Sequence, residues 1–329
     1  MYQRYYGLRA LPFELTPDPK YLFLTPQHRE ALSNLQYGLS AAKAMTVLIG
    51  EAGTGKTTLL HAALESESCQ NVSCVYLNNP TLTRSEFIEI LSERFALCTS
   101  AATSKAALLR ELQAELLKRR QGGQITALVI DEAQSLSDEL LEEIRLLANV
   151  ETTTEKLLPL VLAGQPELKS RLNEPQLRQL KQRVTLRCEI VPLNLQDTST
   201  YIAFRVRAAG GDASKLFTRE AVTLIHQRSR GIPRVVSVLC DNALISGFAL
   251  KRQIVDSAIV AEVARDFDLD GDEHRGTVHR EEGVAPTTLE SAAARPQSEP
   301  VVEQTDEPSR GLFATVAGRS RSFSLFRSR

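Results

Sequence analysis

The chain has 329 residues, a formal net charge of −1 and a pI of about 6.6. This balance excludes the global basic excess that is typical of proteins held to nucleic acids or anionic membranes. Hydrophobic residues make up 43% of the chain and charged residues 24%, so a core of ordinary size is expected.

Cysteine usage and hydropathy indicate a cytoplasmic protein. The five cysteines are irregularly spaced and none forms a C-x-x-C pair, which disfavours a disulfide framework or a structural zinc site. No apolar run reaches the roughly 18 residues of a membrane helix. The longest, at 232–250, contains Arg234 and Asp241. Residues 1–12 lack the continuous apolar stretch of a secretory signal.

Residues 1–25 combine aromatic residues with prolines, and the prolines exclude a long helix. We predict an extended strap with aromatic anchors that include Tyr6, Phe13 and Tyr21. Because aromatic side chains are mostly core residues, the simplest interpretation is that the strap packs against the domain. The alternative is that part of it walls an adenine pocket.

Short apolar strands alternate with helices from residue 26 to about residue 190. The strands are predicted at 45–50, 72–77, 127–130 and 158–163. Helices are predicted from residue 26, at 57–64, after the capping box Thr83-x-x-Glu86, at 105–120 and at 138–149. Strands that are apolar throughout indicate a parallel α/β sheet covered on both faces.

The pattern changes after about residue 190. Helical periodicity at 197–209, 218–229, 233–249 and 256–266 predicts a small all-α lid domain. Polar and acidic residues dominate 268–309 and predict disorder. The predicted domains are therefore an α/β core at 1–190 that includes the strap, a helical lid at 191–267, and a disordered linker with an Arg/Phe tail at 268–329.

A phosphate-binding loop follows the first strand. It reads Gly50-Glu51-Ala52-Gly53-Thr54-Gly55-Lys56-Thr57, which is the P-loop spacing. Glycines let backbone N–H groups curl around a phosphate, and the start of the next helix favours its negative charge. Lys56 supplies a charge for the β- and γ-phosphates, and the Thr57 hydroxyl is placed for Mg²⁺. We predict that residues 50–58, Thr58 included, bind ATP with magnesium.

Asp131 and Glu132 directly follow the buried strand at 127–130. A carboxylate at the end of such a strand lies beside the phosphate loop of this fold class. We predict that Asp131 holds Mg²⁺, directly or through a water, and that Glu132 orients and polarises the attacking water. The alternative is a solvated acidic loop, which the order of the elements disfavours.

Gln165 ends the following strand and is predicted to touch the γ-phosphate or the lytic water. A turn-forming Gln-Pro pair is the plainer interpretation, and Asn149 is the reserve candidate for this role.

These elements together resemble the AAA+ ATPases, and more narrowly the bacterial general secretion pathway protein A (ExeA) type and related ATPases of exopolysaccharide and exosortase loci. The likeness covers about residues 1–266. Besides the P-loop, it is carried by residues 6–8, 12–13, 17–19, 130–134, 143–147, 164–168, 177–183 and 231–234.

The resemblance implies roles for two arginines. Arg183 lies where AAA+ proteins carry an arginine finger, which reaches the γ-phosphate of the next subunit in a homo-oligomer. Arg178 is the alternative finger, and a basic helix face is the plainer interpretation. Arg234, in Gly-Ile-Pro-Arg, resembles the sensor-2 arginine that swings over the nucleotide when the lid closes. Its plainer interpretation is a surface arginine.

We therefore expect an AAA+ ATPase in which ATP lies between core and lid and hydrolysis drives or switches assembly of a partner complex. The resemblance implies a protein partner in envelope secretion or exopolysaccharide export. A transposition-type DNA helper is the alternative, disfavoured by the near-neutral charge. A non-catalytic nucleotide switch is disfavoured by Asp131 and Glu132.

The C-terminal part departs from the resemblance. The ExeA type carries a membrane span and a peptidoglycan-binding domain after its ATPase, and residues 268–329 match neither, which argues against direct cell-wall remodelling. Residues 310–329 contain five arginines, three phenylalanines and no acidic residue. We expect a cytoplasmic protein that contacts the inner membrane peripherally through 310–329, with a disordered end of no function as the alternative.

Overall fold

The computed structural model describes residues 1–15, 22–78, 81–98 and 104–269. The chain divides into two units, Met1–Gly276 and Thr277–Arg329, and every described residue belongs to the first. The Arg/Phe tail and all but the first two residues of the predicted linker lie outside the described residues, as does Tyr21 of the strap.

One parallel sheet forms the centre of the described unit. Its strands are β1 (Met45–Gly50), β2 (Val72–Leu77), β3 (Ile125–Ile130), β4 (Leu160–Gly164) and β5 (Leu186–Ile190). Their order is β2-β3-β4-β1-β5, and each neighbouring pair is parallel. The strand β4 therefore lies between β3 and β1, so the chain segments that follow these three strands meet at one edge.

Helices flank the sheet, and the last four of them, which follow β5, form a separate helical part. They are α1 (Tyr2–Tyr5), α2 (Pro26–Ser40), α3 (Lys56–Leu64), α4 (Arg84–Arg94), α5 (Lys105–Gln121), α6 (Asp138–Leu147), α7 (Pro166–Arg171), α8 (Arg178–Lys181), α9 (Leu195–Ala208), α10 (Arg219–Ser229), α11 (Pro233–Ala249) and α12 (Ser257–Asp266). Short polar side chains accept hydrogen bonds from first-turn N–H groups, as N-caps do, at Thr25, Thr83, Ser104, Ser137, Asn194, Thr218 and Asp256. The predicted capping box of Thr83 and Glu86 is present.

Both faces of the inner strands are buried, which explains why these strands are apolar apart from Thr46 and Thr126. In β3, Leu128 and Ile130 pack in one hydrophobic cluster with side chains of α4, α5 and α6. Ala127 and Val129 pack in a second cluster with side chains of α2 and α3. The predicted parallel α/β sheet with two covered faces is confirmed.

The described aromatic anchors of the strap pack against the helical part. Tyr2, Tyr6 and Phe13 belong to the hydrophobic cluster formed by α9 to α12. The Tyr2 hydroxyl also hydrogen-bonds Asp241 of α11, and the Tyr6 hydroxyl donates to the Arg252 carbonyl. The sequence analysis grouped the strap with the core at 1–190. In the structure, its aromatic anchors pack with the helical part instead. It also contains the short helix α1. The predicted domain boundaries stay a prediction.

One strand escaped the sequence analysis. The strand β5 lies at the sheet edge and alternates exposed with buried residues: Arg187 and Glu189 are exposed, and Cys188 and Ile190 are buried. Because its exposed face is charged, the sequence pattern of β5 continues that of the basic segment at 178–183, and no apolar run marks the strand. Across the described ranges, no helix is long and apolar enough to span a membrane.

Candidate nucleotide-binding and catalytic site

The P-loop runs from the end of β1 to the start of α3, as predicted, and borders a cavity of about 470 Å³. Residues 53–59 line this cavity. The helix α3 begins at Lys56, so its first turn faces the cavity. Backbone N–H groups at a helix N-terminus favour an anion such as a phosphate.

Lys56 extends from this first turn and is only 4% exposed. Its Nζ donates hydrogen bonds to the carbonyls of Gly50, at 2.9 Å, and Glu51, at 3.2 Å. Burial lowers the pKa of Lys56, while the negative charges of Glu132 and Asp131 oppose this shift. The ammonium group is thus held inside the loop by backbone carbonyls.

Asp131 is 1% exposed and accepts three hydrogen bonds. Its Oδ2 accepts from the hydroxyls of Thr57, at 2.6 Å, and Tyr76, at 2.8 Å. Its Oδ1 accepts from the backbone N–H of Glu132, at 2.9 Å. Burial, and then the contact with Asp131, raise the pKa of Tyr76. The structure therefore brings the two predicted magnesium ligands, Thr57 and Asp131, into contact. Tyr76 joins them through its hydrogen bond to Asp131.

Glu132 lies in the left-handed backbone region, with φ of +53°. Its Oε2 accepts hydrogen bonds from Nε2 of Gln134, at 2.6 Å, and from Nε2 of Gln165, at 3.2 Å. Gln165 follows β4, the neighbour of β3, at the position that the sequence placed beside the phosphate site. The structure thus brings Gln165 into direct contact with Glu132.

The start of α11 lies directly on the P-loop. The backbone N–H of Arg234 donates to the Gly53 carbonyl at 3.2 Å. Gly53 has φ of +82°, and a Cβ added there would lie 2.8 Å from Cβ of Arg234. Glycine is therefore required at this position both for its backbone angle and for the close approach. Arg234 lines the cavity, as does Ser237 on the next turn of α11.

The strap supplies another wall of the cavity. Glu14, Leu15, Leu22 and Phe23 line it, together with Leu193, Tyr201 and Arg205 of the helical part. The Arg205 guanidinium donates to the carbonyls of Pro12, at 2.5 Å, and Glu14, at 2.7 Å. The strap thus combines the two roles proposed from the sequence. Its aromatic anchors pack into the fold, and Glu14, Leu15, Leu22 and Phe23 line the cavity.

His28 supports the P-loop from α2. It is 6% exposed, and its Nε2 lies 3.3 Å from the Thr54 carbonyl while its Nδ1 lies 2.6 Å from the Thr25 hydroxyl. These partners fit a neutral imidazole that donates from Nε2 and accepts at Nδ1. Burial lowers the pKa of His28, which favours the same neutral form.

The candidate finger arginines lie away from this cavity. Among the described residues, neither Arg178 nor Arg183 lines it. Arg178 is exposed on α8, whereas Arg183 is half-buried after the end of that helix and near the Glu151 carboxylate. Arg183 therefore lies outside the helix that carries Arg178. Asn149 follows α6 and precedes β4, at the edge where the strands begin.

Sequence reasoning missed several side chains at this site, among them Gln134, Tyr76, His28 and Tyr201. A signal existed for Gln134, which stands two residues after Glu132, and for Tyr76, which lies one residue before the end of the strand predicted at 72–77. His28 and Tyr201 reach the site only through the packing of α2 and α9. No local pattern marks them.

Comparison with known proteins agrees with this arrangement. A family model described as "AAA domain" matches residues 40–172. "General secretion pathway protein A" from Aeromonas hydrophila is 39% identical over 249 residues, which is 76% of this chain and 45% of that protein. The chain therefore spans less than half the length of this relative.

Solved structures show the same fold. "Structure of Drosophila ORC bound to DNA" aligns with a TM-score of 0.59 at 19% identity, over 78% of this chain and 64% of that one. The Aeropyrum pernix ORC2 protein aligns with a TM-score of 0.57 at 16% identity, over 78% of this chain and 71% of that one. At this identity the likeness concerns the fold alone.

The family match, the relative and the geometry converge on one class. AAA domains bind nucleotides, and the P-loop, the buried acidic strand end and the helical part that meets the P-loop are all present here. The chain is therefore an AAA domain protein, related to general secretion pathway protein A over 76% of its length.

Proposed function

We propose that this chain is an ATPase that hydrolyses ATP with Mg²⁺ in the cavity between its sheet and its helical part. The observation that carries the proposal is the convergence of Lys56, Asp131 and Glu132 at the carboxyl edge of the sheet, beside the P-loop. A fold that only binds a nucleotide does not need a second carboxylate at this place.

Each residue then has a defined task. The backbone of residues 50–58 and the Lys56 ammonium bind the phosphates, and Glu132 orients the attacking water. Gln165 contacts Glu132, which supports its proposed role of touching the γ-phosphate or that water. Arg234, at the start of α11, contacts the nucleotide from the lid side.

The chemistry of the site fits a magnesium ion. The Thr57 hydroxyl and the Asp131 carboxylate are hard oxygen donors, and their oxygens are 2.6 Å apart. These two residues would hold the ion, with water molecules completing its shell. When bound, it supplies positive charge that neutralises the phosphate oxygens.

A second subunit completes the proposed site. Arg183, with Arg178 as the alternative, would reach the γ-phosphate of a neighbouring copy in a homo-oligomer. Two facts support an action between subunits: neither arginine lines its own cavity, and Arg178 is exposed.

Phosphate release from Mg-ATP tests the enzymatic proposal. We expect Glu132→Gln to lower kcat by at least about 100-fold, because it removes the group that orients the water, while ATP affinity is retained. Lys56→Ala should abolish ATP binding. Glu65→Gln, an exposed change after α3, is the matched control. An unchanged rate in Glu132→Gln, or no hydrolysis by the wild type with or without partner, would reject the proposal.

The process that uses the ATPase is proposed from the relative. We infer that the chain drives or switches assembly of an envelope secretion or exopolysaccharide export machine, through a protein partner of that machine. The support is the 39% identity to general secretion pathway protein A.

Replacement of the chromosomal copy by Glu132→Gln tests this inference. Protein secretion or polysaccharide export should fall while the amount of the chain stays constant. Unchanged export would contradict it, and a salt-dependent shift of DNA by the purified protein would favour the DNA helper instead.

A further inference from the structure

The loop that follows β3 folds back on itself at Glu132. The left-handed conformation of Glu132, with φ of +53° and ψ of +36°, leads into a 3₁₀ turn at Ala133–Ser135. Residues other than glycine adopt this region at a cost, so the surrounding contacts must hold it. The turn returns the side chain of Gln134 to the carboxylate of Glu132.

The amide of Gln134 is bound at both of its ends. Nε2 donates to Oε2 of Glu132 at 2.6 Å, and Oε1 accepts from the backbone N–H of Gln165 at 3.0 Å. Only an amide of this length offers one donor and one acceptor in these directions. Gln134 therefore connects the loop after β3 to the first residue after β4.

The neighbouring residues leave room for this amide and fix its backbone. A Cβ added at Gly164 would lie 3.0 Å from Oε1 of Gln134, so the absent side chain makes the space. The Arg171 guanidinium donates to the Gln134 carbonyl at 2.9 Å and to the Leu136 carbonyl at 2.5 Å. It also pairs with Asp138 at the start of α6.

We propose that Gln134 is a positioning residue that sets the direction of the Glu132 carboxylate and links it to Gln165. This proposal rests on the proposed ATP hydrolysis, because Gln134 acts through the carboxylate that orients the water. The side-chain amides of Gln134 and Gln165 both donate to the Glu132 carboxylate, and Gln134 also accepts from the backbone of Gln165. A movement of the chain at Gln165 therefore changes the position of the Glu132 carboxylate. Gln134 thereby connects the residue beside the γ-phosphate to the residue that orients the water.

Gln134→Met keeps the length of the side chain and removes both hydrogen bonds. The kcat should fall about 10- to 100-fold, since a misplaced catalytic group has an effect of this order. The KM and the affinity for ATP should stay within about twofold of the wild type. Gln134→Glu, which keeps the acceptor and loses the donor, should be equally slow. Gln70→Met, an exposed change remote from the site, is the control.

A double-mutant cycle separates positioning from general damage. Added to Glu132→Gln, Gln134→Met should cause no further loss of hydrolysis, because its effect passes through the Glu132 carboxylate. A further loss of about tenfold would overturn the proposal, as would wild-type kcat in Gln134→Met. Gln134→Asn, which keeps the amide but is shorter, replaces Gln134→Met if that variant fails to fold.

The same cycle has a readout that does not need hydrolysis. The two substitutions should shift the unfolding midpoint by less together than the sum of their separate shifts, because Gln134→Met removes, and Glu132→Gln weakens, the same charge-assisted hydrogen bond. Additive shifts would refute the link between Gln134 and Glu132 even in a protein without ATPase activity. Absence of hydrolysis in the wild type would instead reject the proposed function.

Discussion

Polar side chains around the P-loop hold one another in a single hydrogen-bonding arrangement. Asp131 receives three donors, Glu132 receives two amides, and His28 has a partner on each ring nitrogen. Buried polar groups cost stability unless they are satisfied, so such a network fixes the geometry of a site before a ligand arrives.

The state of His28 makes stability depend on pH. Because burial lowers its pKa in the folded protein, with Asp197 acting in the opposite direction, the unfolded chain takes up a proton at higher pH than the folded chain. The stabilising contribution is therefore present above about pH 6.5 and is lost as the pH falls through the lower folded pKa. We expect the difference in free energy of unfolding between wild type and His28→Gln to shrink from pH 7.5 to pH 5.

Urea unfolding at several pH values measures this difference. The exposed His61 of α3 provides the control, since His61→Gln removes a histidine without removing a contact to the Thr54 carbonyl. Curves for wild type and His28→Gln that stay parallel over the whole range would contradict the prediction.

At the scale of elements, local signals in the sequence predicted the inner part of the fold well. The capping box of Thr83 and Glu86 has a local cause, namely hydrogen bonds within the first turn of α4, and the apolar run at 127–130 reflects burial on both faces of the sheet. The edge strand β5 was missed because one of its faces is solvated. The attachment of the strap to the helical part was missed because it depends on contacts more than 190 residues apart, such as the one between Arg205 and Pro12.

The strap is therefore an element of the helical part, and Phe13 tests this. It is 1% exposed, and the centroids of its ring and the Phe217 ring lie 6.2 Å apart in an edge-to-face arrangement. We expect Phe13→Ala to lower the free energy of unfolding by about 3–5 kcal/mol, the usual effect of removing a buried aromatic ring. Urea unfolding measures the loss, and hydrogen exchange should show it in residues 219–266.

Arg4→Ala is the matched control, because Arg4 is exposed on the same strap. Faster exchange confined to the sheet, with unchanged protection of residues 219–266, would show that the strap does not support the helices.

At the scale of the whole molecule, the P-loop and the helical part act on the same cavity through the contact of Gly53 with Arg234. Gly53→Ala would insert a methyl group 2.8 Å from Cβ of Arg234 and push the start of α11 away from the loop. We expect ATP affinity to fall at least about tenfold, or 1.4 kcal/mol. Equilibrium binding of a fluorescent ATP analogue measures this.

Gly123→Ala supplies the comparison for backbone strain alone. Gly123 has φ of +79°, close to that of Gly53, and a Cβ there would meet nothing within 4 Å. Equal affinities in the two variants would mean that the contact between lid and loop has no part in binding.

The central claim is that this cavity hydrolyses ATP and that Glu132 performs the step that follows binding. A single-turnover measurement tests it most directly: γ-labelled Mg-ATP is mixed with excess protein, and the bound nucleotide is analysed over time. In the wild type, the label should leave as phosphate while ADP forms in the site. In Glu132→Gln, the nucleotide should stay bound as ATP, with release of label slowed at least about 100-fold. Release of the label at the same rate in both proteins would contradict the account.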